Sequence, residues 1–342
     1  MKIAILAPIA WRTPPEKYGP WEQVASNIAE GMVKKGLDVT LFATGNSRTA
    51  GKLEYVSKTA YAEDNSLDPK VWECLHISNV MERAHEFDII HNNFDFLPLT
   101  YSRLIDTPMV TTIHGFSSQQ IIPVYKKYNS NTHYVSISNS DRSVELDYIS
   151  TVYNGINSTD FTFNEKPANY LLFFGRIHPH KGTYESIQIA KKANMKLIIS
   201  GLIQDEAYFN EKVKPYINDK DIVYVGNSGP RERDKLLGEA LALLHPISFD
   251  EPFGLSVAEA MFCGTPVVAF NRGSMPELIE DNKTGYLVNS ISDAVDAVNK
   301  INSIDRKYCQ QWALSNFSLE KMTEGYLNTY NQILQTPNKK MK

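Results

Sequence analysis

The chain has 342 residues, with 35 Lys and Arg against 39 Asp and Glu, which gives a formal net charge of −4. This length is sufficient for two domains with separate cores. The negative balance, without any arginine-rich or aromatic-interleaved stretch, excludes a general electrostatic affinity for nucleic acid, so we expect no nucleic-acid partner.

The cysteine pattern indicates a reducing compartment, and the hydropathy pattern predicts no membrane span. Cys74, Cys263 and Cys309 are widely scattered and lack metal-ligand spacing, which is typical of reduced packing residues. No apolar run approaches the roughly 20 residues of a membrane span, and Met1–Ala7 is too short for the core of a signal peptide. We therefore predict a cytoplasmic protein without firm membrane association, and a disordered basic tail at Pro337–Lys342.

In the first half of the chain, short apolar segments alternate with helical patterns. A helix is predicted at Glu22–Lys35, because Val24, Ile28 and Met32 recur at helical spacing and Gly36 follows them. The predicted strands are Lys2–Ala7, Leu37–Ala43, Asp88–His91, Met109–Ile113, His133–Ile137 and Ser150–Tyr153, and the further predicted helices are Val71–Glu86 and Phe94–Ile105.

A polar stretch at Asn157–Ala168 interrupts this alternation and is predicted to be a linker. Beyond it the predicted strands are Tyr170–Phe174, Lys196–Ser200, Ile222–Val225, Ala242–His245, Val267–Phe270 and Tyr286–Val288, and the last helix is Leu319–Leu334. Alternating strands and helices predict an α/β protein with two doubly wound, mainly parallel sheets. We expect domains at residues 1–156 and 157–317, and a final helix at 318–335.

Two common nucleotide-binding motifs are missing. No Gly-x-Gly-x-x-Gly sequence follows the first strand or Phe174, as a dinucleotide fingerprint requires. The stretch from Gly45 to Leu53 has one residue too many for a phosphate-binding loop and lacks the hydroxyl residue. The sequence therefore argues against a dehydrogenase and against a nucleoside triphosphatase.

Two carboxylates, Glu251 and Glu259, bracket the start of a predicted helix. Glu251 precedes the turn at Phe253 and Gly254, and Glu259 lies about two turns further on at 3.6 residues per turn. A loop that leads into a helix N-terminus beside a parallel sheet is a usual place for anionic nucleotides. The pair could accept hydrogen bonds from hydroxyls at both ends of a sugar nucleotide; a capping acid and a surface acid are the alternative.

Basic residues and a histidine also lie at predicted strand ends. Arg176 and Lys181 share the loop Gly175–Gly182 after a buried strand, so both could meet one anion. His114 ends another apolar strand, a position where side chains reach a ligand crevice. Solvated loop charges and a core histidine are the alternatives.

These motifs resemble the retaining glycosyltransferases of family 4, whose members share two glutamates separated by seven residues. The resemblance rests on their order and spacing together with Gly19–Glu22, Thr112–Gly115, Ser136–Ser138, Asn154–Asn157 and Gly285–Val288. It implies a GT-B fold, in which two Rossmann-like domains face each other across a cleft. The first domain is expected to bind the acceptor and the second the nucleotide sugar, while the last helix packs back on the first.

The resemblance also assigns roles to single residues. Arg176 and Lys181 are expected to clamp the diphosphate, Glu251 to orient the donor sugar and Glu259 to hold the ribose. The predicted catalytic residues are Arg176, Lys181, His114 and Glu251. The predicted donor-binding residues are Gly19, Gly175, Arg176, Lys181, Glu251, Phe253, Gly254, Leu255 and Glu259.

The acceptor side of the predicted site departs from the family. Pro20 stands where most relatives carry a second glycine, which removes one backbone N–H donor. Trp11, Trp21 and Gly115 are predicted to form the acceptor pocket. No metal is expected, because paired aspartates are missing at the strand ends and the His178–His180 pair lacks a third ligand.

The predicted function is retaining, metal-independent transfer of a hexose from a nucleotide diphosphate sugar to a hydroxyl group. A UDP-sugar is favoured over GDP-mannose, the acceptor is a small soluble molecule or a saccharide, and no cofactor is needed. One alternative is a sugar-nucleotide epimerase or hydrolase of the same fold, which forms product without an acceptor. The other is a non-catalytic sugar-nucleotide-binding protein, which the combined presence of Arg176, Lys181, Glu251 and Glu259 disfavours.

Overall fold

A computed structural model describes residues 1–116 and 118–335. The chain divides into an amino-terminal unit, Met1–Gly155 with the chain from Leu319, and a carboxyl-terminal unit, Ile156–Ser318. The predicted tail at Pro337–Lys342 lies outside the described residues. No helix in the described part of the chain combines the length and apolar character needed to cross a membrane.

The amino-terminal unit contains a parallel sheet of seven strands in the order β3-β2-β1-β4-β5-β6-β7 among the described residues. The strands are β1 Lys2–Leu6, β2 Asp38–Phe42, β3 Lys52–Glu54, β4 Ile89–Asn92, β5 Met109–Ile113, β6 His133–Ser136 and β7 Tyr148–Thr151. The helices of this unit are α1 Pro20–Lys34, α2 Pro69–Glu82, α3 Ile122–Tyr128 and, at the end of the chain, α11 Leu319–Gln335.

The carboxyl-terminal unit repeats this plan with a parallel six-stranded sheet, β10-β9-β8-β11-β12-β13, in the described residues. Its strands are β8 Leu171–Phe174, β9 Leu197–Ser200, β10 Ile222–Tyr224, β11 Ala242–His245, β12 Val267–Phe270 and β13 Gly285–Val288. Its helices are α4 Thr183–Lys192, α5 Glu206–Tyr208, α6 Pro230–Glu239, α7 Leu255–Phe262, α8 Met275–Leu278, α9 Ile291–Asn299 and α10 Arg306–Phe317. The predicted fold class, two Rossmann-like parallel-sheet domains, is confirmed.

Strand order places a topological switch point in each sheet. The chain leaves β1 for β2 on one side and later returns to β4 on the other, with Ile3 paired to both Val39 and Ile89. In the second sheet β8 is flanked in the same way by β9 and β11. Because ligands of open parallel sheets bind outside the carboxyl ends of strands at such points, these edges are where a site is expected.

The final helix α11 packs on α1 within the amino-terminal unit. A Cβ atom added at Gly31 would lie 2.1 Å from Thr323 Oγ1, so glycine at this position allows the two helices to approach closely. Tyr326 and Tyr330 of α11 are fully buried. These contacts make α11 part of the core of this unit.

One predicted helix differs from the structure, and two short elements of the amino-terminal unit were not predicted. The predicted helix Phe94–Ile105 is reduced to a 3-10 turn at Leu97–Tyr101, preceded by Asp95 at a φ of 84°. The short strand β3 and the helix α3 were not predicted, because three and seven residues show little periodicity.

The predicted linker is instead a packed part of the carboxyl-terminal unit. Thr162 N donates to Asp234 Oδ1 (2.7 Å) and Asn164 N donates to Cys263 O (3.1 Å). The unit boundary falls at Gly155 and Ile156, just before the polar stretch. Thr162 Oγ1 also donates to Asp234 Oδ2 (2.9 Å), so this polar stretch is bonded to α6 and to the end of α7, and composition alone misplaced the connection.

Candidate functional site

In the carboxyl-terminal unit, the predicted residues Lys181 and Glu251 meet at the switch point. Lys181 Nζ forms an ion pair with Glu251 Oε2, and the two side chains are 15% and 12% exposed. Lys181 precedes Gly182, whose φ is 76°, and a Cβ at Gly182 would lie 2.0 Å from Pro246 O. The tight passage of this loop past β11 is what places the lysine beside the carboxylate.

Glu251 is held ionised although only 12% of its side chain is exposed. Burial is the largest influence and raises the pKa of its carboxyl group, but the Lys181 ammonium and His245 more than offset it, and the pKa falls to about 2. His245 Nε2 lies 3.5 Å from the same oxygen, Oε2. The site therefore contains a preformed carboxylate with two nitrogen neighbours. His245 was not predicted from the sequence as a site residue.

The backbone around Glu251 is fixed by the Gly273–Ser274 turn. Ser274 N donates to Glu251 O (2.9 Å), and Ser274 Oγ donates to Phe253 O (2.7 Å). A Cβ at Gly273 would lie 2.3 Å from Glu251 N, so only glycine allows this approach. Gly273 is distant from Glu251 along the chain, so this contact emerges only in the fold.

The other predicted donor-binding residues of this loop have distinct positions. Gly254, at a φ of 90°, precedes the first turn of α7, where no side chain caps the helix and Leu255 is the first helical residue. Phe253 is 2% exposed and packs edge-on against Phe317 with ring centroids 5.9 Å apart. Its side chain therefore contributes to the core of the unit.

Arg176 has a different hydrogen-bond partner from the Lys181–Glu251 pair. Its Nη1 donates a hydrogen bond to Gln204 Oε1, and its side chain is half-buried. Gly175 N donates to Ser200 O (3.0 Å), and a Cβ at Gly201 would lie 1.7 Å from Gly175 O. The structure thus brings Arg176 to the ends of β8 and β9, where its guanidinium remains partly accessible.

Glu259, in α7, is paired with an arginine that the sequence did not point to. Its Oε1 lies 3.1 Å from Arg233 Nη1, and the residue is 6% exposed. Burial raises the pKa of Glu259, and Arg233 opposes this shift. Arg233, from α6, also lies over the ring of Phe161 at 5.2 Å. No motif surrounds Arg233, so only the packing of α6 near α7 identifies it.

In the amino-terminal unit, the predicted residues His114 and Trp21 are in contact. Their rings stack with centroids 5.9 Å apart and an interplanar angle of 30°. His114 Nε2 donates to Asn93 Oδ1 (3.0 Å), and burial lowers the pKa of His114 to about 3. The ring is therefore neutral at physiological pH. Gly115 follows at a φ of 99°, which turns the chain away from β5.

His91 has a structural role instead. It is fully buried, with Nδ1 2.6 Å from Tyr330 Oη and Nε2 2.7 Å from Thr112 Oγ1. Both ring nitrogens are thus occupied by core hydroxyl groups. His91 therefore fastens α11 to the sheet.

Glu22 is a functional candidate that sequence reasoning passed over. It lies in the first turn of α1, is 3% exposed, and its Oε1 accepts a hydrogen bond from Trp11 N (3.1 Å). Trp11 in turn contacts Tyr18 edge-on, with ring centroids 6.3 Å apart. Gly19, at a φ of 150°, ends the same loop. Glu22 thereby ties the predicted acceptor loop to α1.

Glu22 predicts a pH-dependent stability. Burial raises the pKa of its carboxyl group from 4.5 to about 7, so the unfolded chain releases this proton before the folded protein does. Stability from this group is full below about pH 4.5 and is lost as pH rises to about 7, by about 3 kcal/mol. Glu22→Gln should therefore exceed the wild type in free energy of unfolding at pH 8 and match it near pH 4.5, as measured by urea denaturation.

The control for this prediction is Glu82→Gln, since Glu82 is exposed on α2. It should follow the wild type at both pH values. An unchanged difference between Glu22→Gln and the wild type across this range would show that Glu22 is ionised in the folded protein.

Within the described residues, no group of three or more His, Cys, Asp or Glu side chains is arranged to hold a metal ion. His178 and His180 contact each other, with ring centroids 4.7 Å apart, and His178 Nδ1 accepts from His180 N (3.2 Å). This pair shapes the loop before Lys181. That the reaction needs no metal is a prediction, which activity in EDTA tests.

Two family models match consecutive parts of the chain. The model for Glycosyltransferase Family 4 matches residues 21–159, and the model for Glycosyl transferases group 1 matches residues 157–313. Together they include Trp21 and His114 of the amino-terminal unit and Lys181, Glu251 and Glu259 of the carboxyl-terminal unit.

Individual glycosyltransferases are also similar to this chain in sequence or in fold. An uncharacterised glycosyltransferase of Methanocaldococcus jannaschii is 24% identical over 87% of this chain and 89% of its own length. The D-inositol 3-phosphate glycosyltransferase of Mycolicibacterium smegmatis is 29% identical over 60% of this chain and 50% of its own length. The crystal structure of HepE from Anabaena in complex with UDP-glucose superimposes with a TM-score of 0.71, at 19% identity, over 97% of this chain and 100% of HepE.

Proposed function

The chain belongs to the group 1 and family 4 glycosyltransferases, and we propose that it transfers a hexose from a UDP-sugar to a hydroxyl acceptor with retention of configuration. The observation that carries this proposal is the Lys181–Glu251 ion pair at the switch point of the carboxyl-terminal sheet. It joins a cation suited to a diphosphate and a carboxylate suited to sugar hydroxyls in one place.

The donor is assigned to the carboxyl-terminal unit. A nucleotide diphosphate carries about two negative charges, and cleavage of the anomeric bond places further charge on the leaving phosphate. Lys181, Arg176 and the uncapped N-terminus of α7 at Gly254 are the groups in this unit that favour such an anion. UDP is the preferred nucleotide because HepE, which shares the fold, binds UDP-glucose.

Glu251 and Glu259 have separate roles in this proposal. Glu251 is ionised, with its pKa at about 2, and accepts hydrogen bonds from hydroxyls of the donor sugar. Glu259, paired with Arg233, holds the ribose hydroxyls further along α7. Charge-assisted hydrogen bonds of this kind fix both ends of the donor.

The reaction proceeds by displacement on one face of the sugar. The bond between the anomeric carbon and the phosphate oxygen breaks with both electrons going to the phosphate, which leaves an oxocarbenium-like carbon. The acceptor hydroxyl oxygen attacks this carbon on the same face, and its proton passes to the leaving phosphate oxygen. No pair of acids flanking the carbon is needed, in contrast to glycoside hydrolases. The charge is stabilised by Lys181 and Arg176, so the reaction proceeds without a metal.

The acceptor is assigned to the amino-terminal unit. Trp11 lies in the loop that Glu22 holds, Trp21 stacks on the neutral ring of His114, and Gly115 follows that histidine, which offers a hydrogen-bonding nitrogen. Aromatic side chains combined with a few polar groups suit a small polyhydroxylated molecule. The M. smegmatis relative is named for D-inositol 3-phosphate, which supports an acceptor of this class.

Retention is tested by the anomeric configuration of the product. The protein is first screened with UDP-, GDP- and ADP-sugars for a rise in melting temperature, which a bound donor should cause. The stabilising α-linked donor is then incubated with polyol and saccharide acceptors, and the product linkage is determined by NMR. We expect an α linkage, formed equally well in EDTA.

Other results of the same experiment have definite meanings. A β linkage from an α donor would contradict the retaining mechanism. Sugar release or conversion at full rate without any acceptor would identify a hydrolase or epimerase. Binding without turnover for every acceptor would favour the non-catalytic sugar-nucleotide-binding protein.

A further inference from the structure

His245 is a buried histidine at the carboxyl end of β11, and the mechanism proposed above gives it no role. It is 4% exposed, and its Nε2 is a buried atom without a hydrogen-bond partner. Leaving a buried donor or acceptor unpaired costs about 1–3 kcal/mol. Because the unpaired Nε2 atom of His245 costs free energy at the switch point of the sheet, we expect it to form a compensating contact in another state of the protein.

The carboxylate of Glu251 is a charged group close to His245. His245 Nε2 lies 3.5 Å from Glu251 Oε2, beyond the usual 2.7–3.2 Å of an N–H···O hydrogen bond. The same oxygen is in closer contact with Lys181 Nζ. Two nitrogen donors thus compete for one carboxylate oxygen, and the lysine has the shorter contact.

The backbone contacts around Glu251 do not supply a second hydrogen-bond donor to its carboxylate. Ser274 and Gly273 fix the backbone at Glu251 and Phe253, and they do not bind the Glu251 carboxylate. When Lys181 turns to a diphosphate, Glu251 Oε2 loses its ion-pair partner, and a neighbouring donor can replace it while the other carboxylate oxygen binds the sugar hydroxyls. A shift of less than about 1 Å brings His245 Nε2 within hydrogen-bond distance.

We propose that His245 is a positioning residue that takes over Glu251 Oε2 as Lys181 engages the donor diphosphate. The inference rests on the proposed function, in which Lys181 binds phosphate and Glu251 binds the donor sugar. His245 touches neither substrate. Its Nε2–H donates to Oε2, so that the other carboxylate oxygen stays aimed at the sugar hydroxyls and Glu251 stays ionised during the transfer.

A first experiment needs no donor and no turnover. Lys181→Ala removes the competing cation. In this variant, His245 Nε2–H should donate to Glu251 even without a bound donor. NMR of protein labelled with ¹⁵N-histidine should show the His245 Nε2–H proton shifted downfield in Lys181→Ala relative to the wild type. The signal is assigned by its loss in His245→Gln. An identical proton shift in both proteins overturns the inference, whatever reaction the enzyme catalyses.

A second experiment measures transfer with the donor identified by the screen. His245→Phe keeps a ring of similar size but loses the N–H group, and we expect kcat to fall about 10-fold while KM for the donor changes less than about 3-fold. His245→Gln, whose amide N–H reaches the same region, should restore most of kcat. The matched control is His133→Phe, at the start of β6 in the amino-terminal unit, which should keep the wild-type kcat.

These outcomes separate the inference from the proposed function. If the wild type transfers no sugar, the proposed function fails, while the NMR comparison still decides whether His245 can bind Glu251. If the wild type is active and His245→Phe has the same kcat, or if His245→Gln is as impaired as His245→Phe, His245 is only a packing residue.

Discussion

Lys181→Ala is expected to lower the turnover of sugar transfer by about 10²-fold or more, with little change in the fold. Lys181 supplies a positive charge at a switch point, where the leaving diphosphate would develop charge, and preorganised charges of this kind commonly contribute 10²–10³-fold. Its ion pair with Glu251 is 15% exposed on the lysine side, so water screens it weakly. Steady-state kinetics with a saturating UDP-sugar, together with circular dichroism, measure the effect.

The control for this prediction is Lys192→Ala, because Lys192 is an exposed lysine at the end of α4 in the same unit. It should leave turnover unchanged. Arg176→Ala should also be impaired, because its guanidinium at the end of β8 is expected to meet the same anion. Near-native transfer in both Lys181→Ala and Arg176→Ala would refute the assignment of the diphosphate clamp.

Arg306→Leu should destabilise the protein by about 3–5 kcal/mol. The Arg306 guanidinium is buried in the carboxyl-terminal unit and donates to Asn164 O (2.7 Å), Ala240 O (3.0 Å), Gly238 O (2.8 Å) and Thr265 Oγ1 (2.8 Å). Leucine would leave these buried acceptors without a donor. Urea denaturation followed by fluorescence measures the loss.

Two further variants show whether this effect is specific. Lys307→Leu removes the next, exposed cation of α10 and should change the free energy of unfolding by less than about 0.5 kcal/mol. Arg306→Lys keeps the charge but cannot reproduce the planar fork of donors, so it should fall between wild type and Arg306→Leu. If Arg306→Leu unfolds at the wild-type urea concentration, the hydrogen-bond cluster contributes nothing measurable.

Arg306 also connects stability to the candidate site. The carbonyls of Gly238 and Ala240 lie at the end of α6, which carries Arg233, and Thr265 follows α7, which carries Glu259. By binding both ends, Arg306 fixes these two helices in the arrangement that pairs Arg233 with Glu259 at 3.1 Å. Under the proposed role of Glu259 in holding the ribose, a loosened α6 would weaken donor binding before the unit unfolds.

Periodicity alone was sufficient for most strands and for the long helices, because a parallel sheet buries near-continuous apolar runs. It was not sufficient at Phe94–Ile105, where apolar residues fall at helical intervals but the chain forms only a 3-10 turn at Leu97–Tyr101. Pro98 in this segment lacks a backbone N–H, which limits helix formation. The helical spacing of apolar residues therefore did not predict the structure of this segment, because the backbone at Pro98 does not support a regular helix.

The sequence by itself indicated the α/β class and the resemblance to the family, and it pointed to Lys181 with Arg176 in one loop and to Glu251 with Glu259 around the start of one helix. These signals are local, since each depends on residues a few positions apart. The tertiary structure decided which side chains complete the site: Glu22 beneath Trp11, Arg233 against Glu259 and His245 beside Glu251. The partners of each pair come from different elements or loops, so their distances depend on how these elements pack, and the pKa values of the carboxyl groups depend on both burial and the neighbouring charges.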